Sequence, residues 1–364
     1  MLKKFEVSGY RNFKDNFVLD FSDVRDYQFN KHCIKNNLLN NIIIYGKNAV
    51  GKTNFGRAIF DIKSNFQREL VPFERDDESY LNADTESGYA QFDYIFTIDN
   101  IDVTYVYRKE RESKLLYEKL SLGEEIVFEF DHENKIKMVD NLGKINAETL
   151  NWEFVDNEIS VISYIVNNTQ LSSFEILGKL YRFIKGMQLI RGSNSRLSFA
   201  VCSRTVSYIL ENNMVDQFQQ FLNKFGVDEE LIEISIGTGE KILCFKHKKP
   251  IPFIENCSSG TISLVQLFNW IMKISDLTFL YMDEFDAFYH YELSEKVIQM
   301  FGEIDNCQTI ATSHNTNLLS NKIMRPDCFF IMTKEKLSSI VNATNRELRE
   351  GHNLEKLYMS GEFE

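Results

Sequence analysis

Apolar residues recur along the chain with two different periods, and the places where the period changes mark its elements. Phe5 and Val7 alternate with polar neighbours, and Phe17-Val18-Leu19-Asp20-Phe21 is a second strand candidate, with Tyr10-Arg11-Asn12-Phe13 as the turn between them. A hydrophilic connector, Lys31 to Asn41, leads into Ile42-Ile43-Ile44-Tyr45, a short β-branched run that predicts a buried strand. Asn54 to Phe60 opens a helix that continues to residue 66, and a polar segment then runs to residue 88. Phe92, Tyr94, Phe96 and Ile98 alternate up to Asp99-Asn100, and Ile101, Val103, Tyr105 and Tyr107 alternate after it, which predicts a β-hairpin with one buried face. Strand-like pieces follow at 115–122, 125–130 and 135–139, separated by Gly123 and by Asp131-His132-Glu133-Asn134. From 150 to 225 the period becomes helical, and Met214, Phe218, Phe221, Leu222 and Phe225 form one stripe that predicts core packing. Residues 231–236 and 241–246 read as a strand pair around Gly237-Thr238-Gly239. Ile262 to Trp270 predicts an apolar helix, Leu277 to Met282 a strand, 292–302 a helix and Gln308 to Ser313 a strand. No repeat, low-complexity tract or sustained heptad pattern occurs.

Composition narrows this picture. With 364 residues, 43% of them hydrophobic and 30 of them Phe, the chain can bury a sizeable core, and only 4 Pro argue against disordered linkers. The net charge of -12 argues against generic nucleic-acid binding, which draws its affinity from neutralising phosphates. Cys33, Cys202, Cys244, Cys257, Cys307 and Cys328 lack CxxC spacing, which predicts reduced thiols and a cytoplasmic protein. Met1 to Glu6 opens no signal peptide, and no apolar run approaches the roughly 20 residues of a membrane span, so no membrane partner is expected.

Between the buried strand and the first helix stands Gly46-Lys47-Asn48-Ala49-Val50-Gly51-Lys52-Thr53, which fits G-x-x-x-x-G-K-[ST] at every fixed position. Such a loop cradles phosphates on backbone N–H groups at a helix N-terminus. Lys52 then serves the β- and γ-phosphates and the Thr53 hydroxyl a magnesium ion. Far downstream, Leu277-Thr278-Phe279-Leu280-Tyr281-Met282-Asp283-Glu284 is an apolar strand ending in two acids, a Walker B pattern. It offers Asp283 to the metal and Glu284 as general base for an attacking water. Asn256-Cys257-Ser258-Ser259-Gly260-Thr261 is a small-residue loop at a helix start, and Gln308-Thr309-Ile310-Ala311-Thr312-Ser313-His314-Asn315 is a strand ending in a histidine.

The order of these pieces resembles the ABC-type ATPases, within them the non-transporter branch of SMC, RecF and OLD proteins, and within that the stand-alone bacterial "AAA domain" ATPases, several of which serve phage defence. Asp283-Glu284-Phe285-Asp286-Ala287-Phe288-Tyr289-His290 and Arg349-Glu350-Gly351-His352-Asn353-Leu354-Glu355-Lys356-Leu357-Tyr358 look typical of that group, and the likeness spans almost the whole chain. The resemblance implies an α/β P-loop NTPase fold of ABC type, a mixed central sheet with an inserted antiparallel β-lobe and a helical subdomain. It divides the chain into a nucleotide-binding core (1–88 and 255–364), a β-lobe (89–149) and a helical, signature-bearing subdomain (150–254). By the same resemblance Cys257-Ser258-Ser259-Gly260-Thr261 stands at the ABC signature. Ser258 is its main hydroxyl donor, while Ser259 replaces a glycine and Thr261 a glutamine. His314 matches the switch histidine, His290 stands where the D-loop has Asp or Asn, and Arg11 and Asn12 match an N-terminal turn that touches nucleotide, as does Asn54 beside the loop. Gln170 is the candidate for the metal-contacting Q-loop glutamine, with Asn167 next.

The resemblance further implies ATP and Mg2+ as cofactors and a homodimer, or a higher homo-oligomer, with ATP sandwiched between Lys52 of one chain and Ser258 of the other. One phosphate loop and one signature loop on a single chain cannot close on the same nucleotide. The expected function is an ATP-binding and ATP-hydrolysing subunit controlling an effector protein in trans, in anti-phage defence, with nucleic acid as a ligand of the assembled complex. The alternative is an SMC/RecF-like ATPase of DNA repair or DNA end processing, disfavoured by the missing heptads. An OLD-type nuclease is disfavoured because Asn315 to Glu364 is too short for its nuclease domain, and a transporter ATPase because the signature is not LSGGQ-like.

Overall fold

The strand that feeds the glycine loop lies inside a six-stranded sheet. In the computed structural model, which describes residues 1–67, 79–145, 147, 150, 159–169, 175–191, 195–237, 239–272, 276–286, 291–302, 304 and 306–363, Asn41–Tyr45 pairs in parallel with Gln308–Ser313 on one side and Phe329–Met332 on the other. Phe279–Asp283 and then Met187–Arg191 extend the sheet in parallel. Leu337–Ser339 closes the opposite edge antiparallel, so the sheet is mixed. Every residue of Asn41–Tyr45, Phe279–Asp283 and Gln308–Ser313 is buried, as expected for strands covered on both faces. Because these strands are parallel, the groups at their C-terminal ends share one edge, where open α/β sheets bind ligands.

A second, antiparallel sheet of seven strands runs in the order Ile136–Asp140, Glu125–Asp131, Lys114–Leu122, Ile101–Arg111, Ala90–Ile98, Leu2–Ser8, Phe17–Asp20. The hairpin turn at Asp99-Asn100 has both residues at positive φ (51° and 63°), the geometry that matches strand twist in a two-residue loop. This sheet joins the N-terminal strands to those of 89–149. The strands of 89–149 are not a sheet of their own, because Phe5 pairs with Tyr94 and Val7 with Phe92 across one continuous ladder. The reason is a shared buried face: the Phe5 ring packs on Phe55 of the helix Lys52–Phe60 (5.6 Å) and on Tyr94 (4.8 Å). Met187–Arg191, expected inside the helical subdomain, is an edge strand of the core sheet.

The remaining helices include Val161–Asn168, Ile176–Lys185, Ser195–Glu211, Val215–Lys224 and Ser259–Met272. Phe218 and Phe221 of the apolar stripe pack on Phe268 at 5.0 and 5.1 Å, so that stripe is core. Leu231–Ser235, Lys241–Phe245 and Ile251–Pro252 form a small antiparallel sheet beside them. Among the described residues no helix is long and apolar enough to cross a membrane.

Two buried carboxylates pin helices to the seven-stranded sheet. Asp61, at the C-terminal end of the helix Lys52–Phe60, meets Lys109 Nζ at 2.6 Å and accepts from Tyr107 and Tyr80 hydroxyls, each at 2.9 Å. Glu118 accepts from Tyr105 Oη and from the backbone N–H groups of Val161 and Ile162 at a helix N-terminus, and its second oxygen meets His132. Both side chains of the Asp61–Lys109 pair are almost fully buried, so removing one leaves an uncompensated charge. Lys109→Ala is expected to cost about 3 kcal/mol. Thermal and urea unfolding check it, and a loss no larger than that of an exposed lysine, Lys241→Ala, would show that the pair does not clamp the helix.

Candidate functional site

Gly46 to Thr53 turns sharply off the end of Asn41–Tyr45. Ala49 and Gly51 both have positive φ, 63° and 113°, which aims successive N–H groups into a concave, anion-binding surface. A Cβ on Gly51 would stand 2.5 Å from the Asn12 amide nitrogen, so only glycine fits beside that turn. Lys47, Asn48 and Ala49 form an exposed rim, and Val50 is buried beneath it. The helix behind the loop is laid directly on the Asp283 strand. A Cβ on Gly56 would meet the Tyr281 ring at 2.7 Å, and Tyr281 Oη donates to Lys52 O at 2.6 Å.

Lys52 curls over its own loop and donates to Gly46 O (2.8 Å) and Lys47 O (3.2 Å). Burial pushes its ammonium below the usual lysine range, against the pull of Asp283, Glu284 and Asp286. Thr53 Oγ1 donates to Asp283 Oδ2 at 2.7 Å, and Thr312 Oγ1 donates to Asp283 Oδ1 at 2.9 Å. Asp283 is only 1% exposed. Glu284 follows it with φ at +50°, a costly backbone for a non-glycine residue, and its N–H donates to Thr312 Oγ1 at 2.8 Å. Ser313 Oγ donates to Asp286 Oδ2 at 2.6 Å, tying the same turn to the neighbouring strand end. His314 comes next and reaches solvent; partial burial and then Lys52 hold its imidazole below the usual range, opposed by Asp286, Glu284 and Asp283.

The fold therefore brings Gly46 to Thr53, Asp283, Glu284 and His314 to one edge. Asn12 joins them, its Oδ1 accepting from Asn54 Nδ2 at 2.8 Å. Arg11 points its guanidinium to Tyr10 Oη (3.1 Å) and Ser79 Oγ (3.2 Å). Ser258 caps the helix Ser259–Met272, its Oγ accepting from Thr261 N at 3.1 Å and meeting Thr261 Oγ1 at 2.9 Å. Ser258 and Ser259 are exposed, Gly260 is half-buried, and the bonds of Ser258 stay within its own helix start. Gln170 and His290 lie outside the described residues. Asn167 donates to Ser163 Oγ at 3.1 Å on its own helix.

Sequence reasoning missed Thr312, Asp286 and Arg191. Arg191 Nε lies 3.6 Å from Asp283 Oδ2, and its backbone pairs with Asp283 in the sheet. The signal for it is short, the five residues Met187-Gln188-Leu189-Ile190-Arg191, with Gln188 interrupting the apolar positions. The donor set fits a magnesium–triphosphate group: a left-handed N–H cradle, a buried ammonium, and the hard oxygens of Thr53 and Asp283 converging beside it.

Residues 213–320 match a family described as "AAA domain, putative AbiEii toxin, Type IV TA system". No curated protein matches the sequence. An SmcHead bound to the C-winged helix domain of ScpA superposes with a TM-score of 0.50 at 16% identity, over 94% of this chain and 99% of that one. An Smc head domain with an extended coiled coil, bound to the C-terminal domain of ScpA derived from Pyrococcus furiosus, gives a TM-score of 0.50 at 13% identity, over 94% and 97%. Over nearly its whole length the chain therefore has the mixed α/β fold of P-loop nucleotide-binding heads. Within that fold it is similar to the Smc head domains, with the AAA-domain match confined to residues 213–320.

The lowered imidazole gives a prediction with a definite sign. His314 stays neutral to below pH 6.5, so its contribution to stability is present above that pH and fades as pH falls through the depressed value. Proton NMR titration should find its midpoint below that of an ordinary histidine. Lys52→Ala should raise it; an unmoved midpoint would mean that Lys52 does not act on the ring.

Proposed function

We propose that the protein is an ATP-binding and ATP-hydrolysing subunit whose ATP-dependent dimerisation controls a partner effector in anti-phage defence. One observation carries the reading: a phosphate cradle, a buried ammonium, the Thr53–Asp283 pair, Glu284 and His314 share one strand edge, while the Ser258 hydroxyl bonds to Thr261 at its own helix start. Lys52 exchanges two carbonyls for the β- and γ-phosphate oxygens of ATP. Thr53 and Asp283 would hold Mg2+, which would neutralise charge on those oxygens. Glu284 takes a proton from the water that adds to the γ-phosphorus as the bond to the β-phosphate oxygen breaks and ADP leaves. His314, neutral at pH 7, contacts the γ-phosphate. Ser258 of a second copy completes the site, so nucleotide is part of the dimer interface and hydrolysis opens it.

The defence role is supported by the family description over residues 213–320, which names a toxin of a type IV TA system. An effector in trans is supported by the Smc heads solved with ScpA domains bound. A cytoplasmic setting, and nucleic acid as a ligand of the assembled complex, belong to the same proposal. The head-like fold favours a second reading, an SMC/RecF-like ATPase of DNA repair or end processing. Against it, the longest described helix between the two halves of the site is Ser195–Glu211, with 17 residues, too short for an extended coiled-coil arm.

Glu284→Gln is expected to bind ATP normally, to slow hydrolysis by about 10²- to 10⁴-fold, and to accumulate as a dimer with ATP but not with ADP. Phosphate release and analytical ultracentrifugation check both arms. A protein that stays monomeric at saturating ATP would sink the dimerisation reading.

A further inference from the structure

The strand register sets Arg191 opposite the most buried carboxylate of the site. Arg191 is the last residue of Met187–Arg191, and Asp283 is its direct partner on the neighbouring parallel strand. Both oxygens of Asp283 are engaged. Oδ1 accepts from Thr312 Oγ1 at 2.9 Å, and Oδ2 accepts from Thr53 Oγ1 at 2.7 Å with Arg191 Nε at 3.6 Å. A carboxylate taken this far out of water needs a positive charge beside it. The Lys52 ammonium is committed to the carbonyls of Gly46 and Lys47. Among the described residues, Arg191 is the cation paired with Asp283.

The pair is loose on one side. At 3.6 Å it is an ion pair longer than a direct charge-assisted hydrogen bond. The Arg191 side chain is 43% exposed, against 2% for Asp283, so the carboxylate is fixed while the guanidinium reaches in from solvent. The group that leaves most easily is therefore the guanidinium. Arginine suits an exchange of this kind, since it stays charged at every working pH and its planar fork matches carboxylate and phosphate equally.

We propose that Arg191 is a positioning residue that holds the cation place at Asp283 and yields it to Mg2+ only when the triphosphate arrives. This rests on the reading of the loop as a Mg·ATP site. A divalent ion alone at Asp283 would stand beside both Arg191 and Lys52, which like-charge repulsion opposes. The triphosphate brings the negative charge that offsets this, and it gives the displaced guanidinium a new partner. Metal and nucleotide thus bind as one unit, and Asp283 is closed to magnesium by itself.

The test needs no turnover. Thermal midpoints are measured with MgCl2 alone, against NaCl of matched ionic strength, for the wild type, Arg191→Ala and Arg191→Lys. The wild type and Arg191→Lys should not respond to magnesium, whereas Arg191→Ala should gain about 2–4 °C. In an Asp283→Asn background, Arg191→Ala should show no magnesium response. If Arg191→Ala does not fold, Arg191→Gln keeps the length, removes the charge and provides the same comparison. An Arg191→Ala response equal to that of the wild type would overturn the proposal. Fluorescent ATP binding to the wild type, with and without Mg2+, separates the two readings. Absent Mg·ATP binding with a magnesium-responsive Arg191→Ala would defeat the ATP assignment, and with it the exchange for a triphosphate, leaving Arg191 only as the group that keeps magnesium from Asp283; the reverse pattern would defeat only the role of Arg191.

Discussion

Parallel pairing of Asn41–Tyr45 with Gln308–Ser313, and of Gln308–Ser313 with Phe279–Asp283, is the constraint on which the site depends. It sets Tyr45 level with Ser313 and brings three distant stretches of chain to one edge. The strand ends are then cross-linked by polar side chains. Thr53 reaches Asp283 from the helix, Thr312 reaches it from the neighbouring strand, and Ser313 holds Asp286. Thr312 serves two partners, accepting from Glu284 N while donating to Asp283. A slip of one residue in either ladder would turn these side chains to the opposite face and dissolve the cluster. Specific buried polar contacts resist that slip: Thr309 Oγ1 donates to Asn41 Oδ1 at 2.6 Å, and Leu2 N donates to Gln308 Oε1 at 2.8 Å.

The parts of this arrangement that were legible in the sequence share a property: each is a local pattern with a local physical cause. The glycine loop follows from its spacing, the hairpin around Asp99-Asn100 from alternation and a turn that tolerates positive φ, and the Asp283 strand from an apolar run ending in acids. What was not legible depends on which strand pairs with which. Nothing in the alternation of Phe5 and Val7 says that they continue the sheet begun by Phe92 and Tyr94. Met187–Arg191 was hidden because helical periodicity on either side of it swallowed a five-residue strand, and Arg191 was lost with it. The Ser258 loop is legible as a motif, yet within one chain its hydroxyl is spent on Thr261.

A buried carboxylate is expensive unless it is partnered, and Asp61 and Glu118 both are. Asp61 has a lysine and two tyrosines, and Glu118 has a tyrosine, a histidine and two N–H groups of a helix start. Aromatic rings fill the space around them, with Phe92 stacked on Tyr107 at 5.0 Å and Tyr105 edge-to-face with Phe66 at 5.6 Å. An apolar interface could slide; one indexed by charge has a single seat.

The helix Lys52–Phe60 has polar attachments at both ends. Its first turn carries the phosphate loop and is keyed to the Asp283 strand through Tyr281. Its last turn ends at Asp61, locked to Lys109 of the other sheet. Nine residues of helix span about 13 Å between these two attachments. The helix is thus a connecting rod: a push on the loop is delivered, with little lost on the way, to the floor of a sheet whose outer strands lie far from any phosphate.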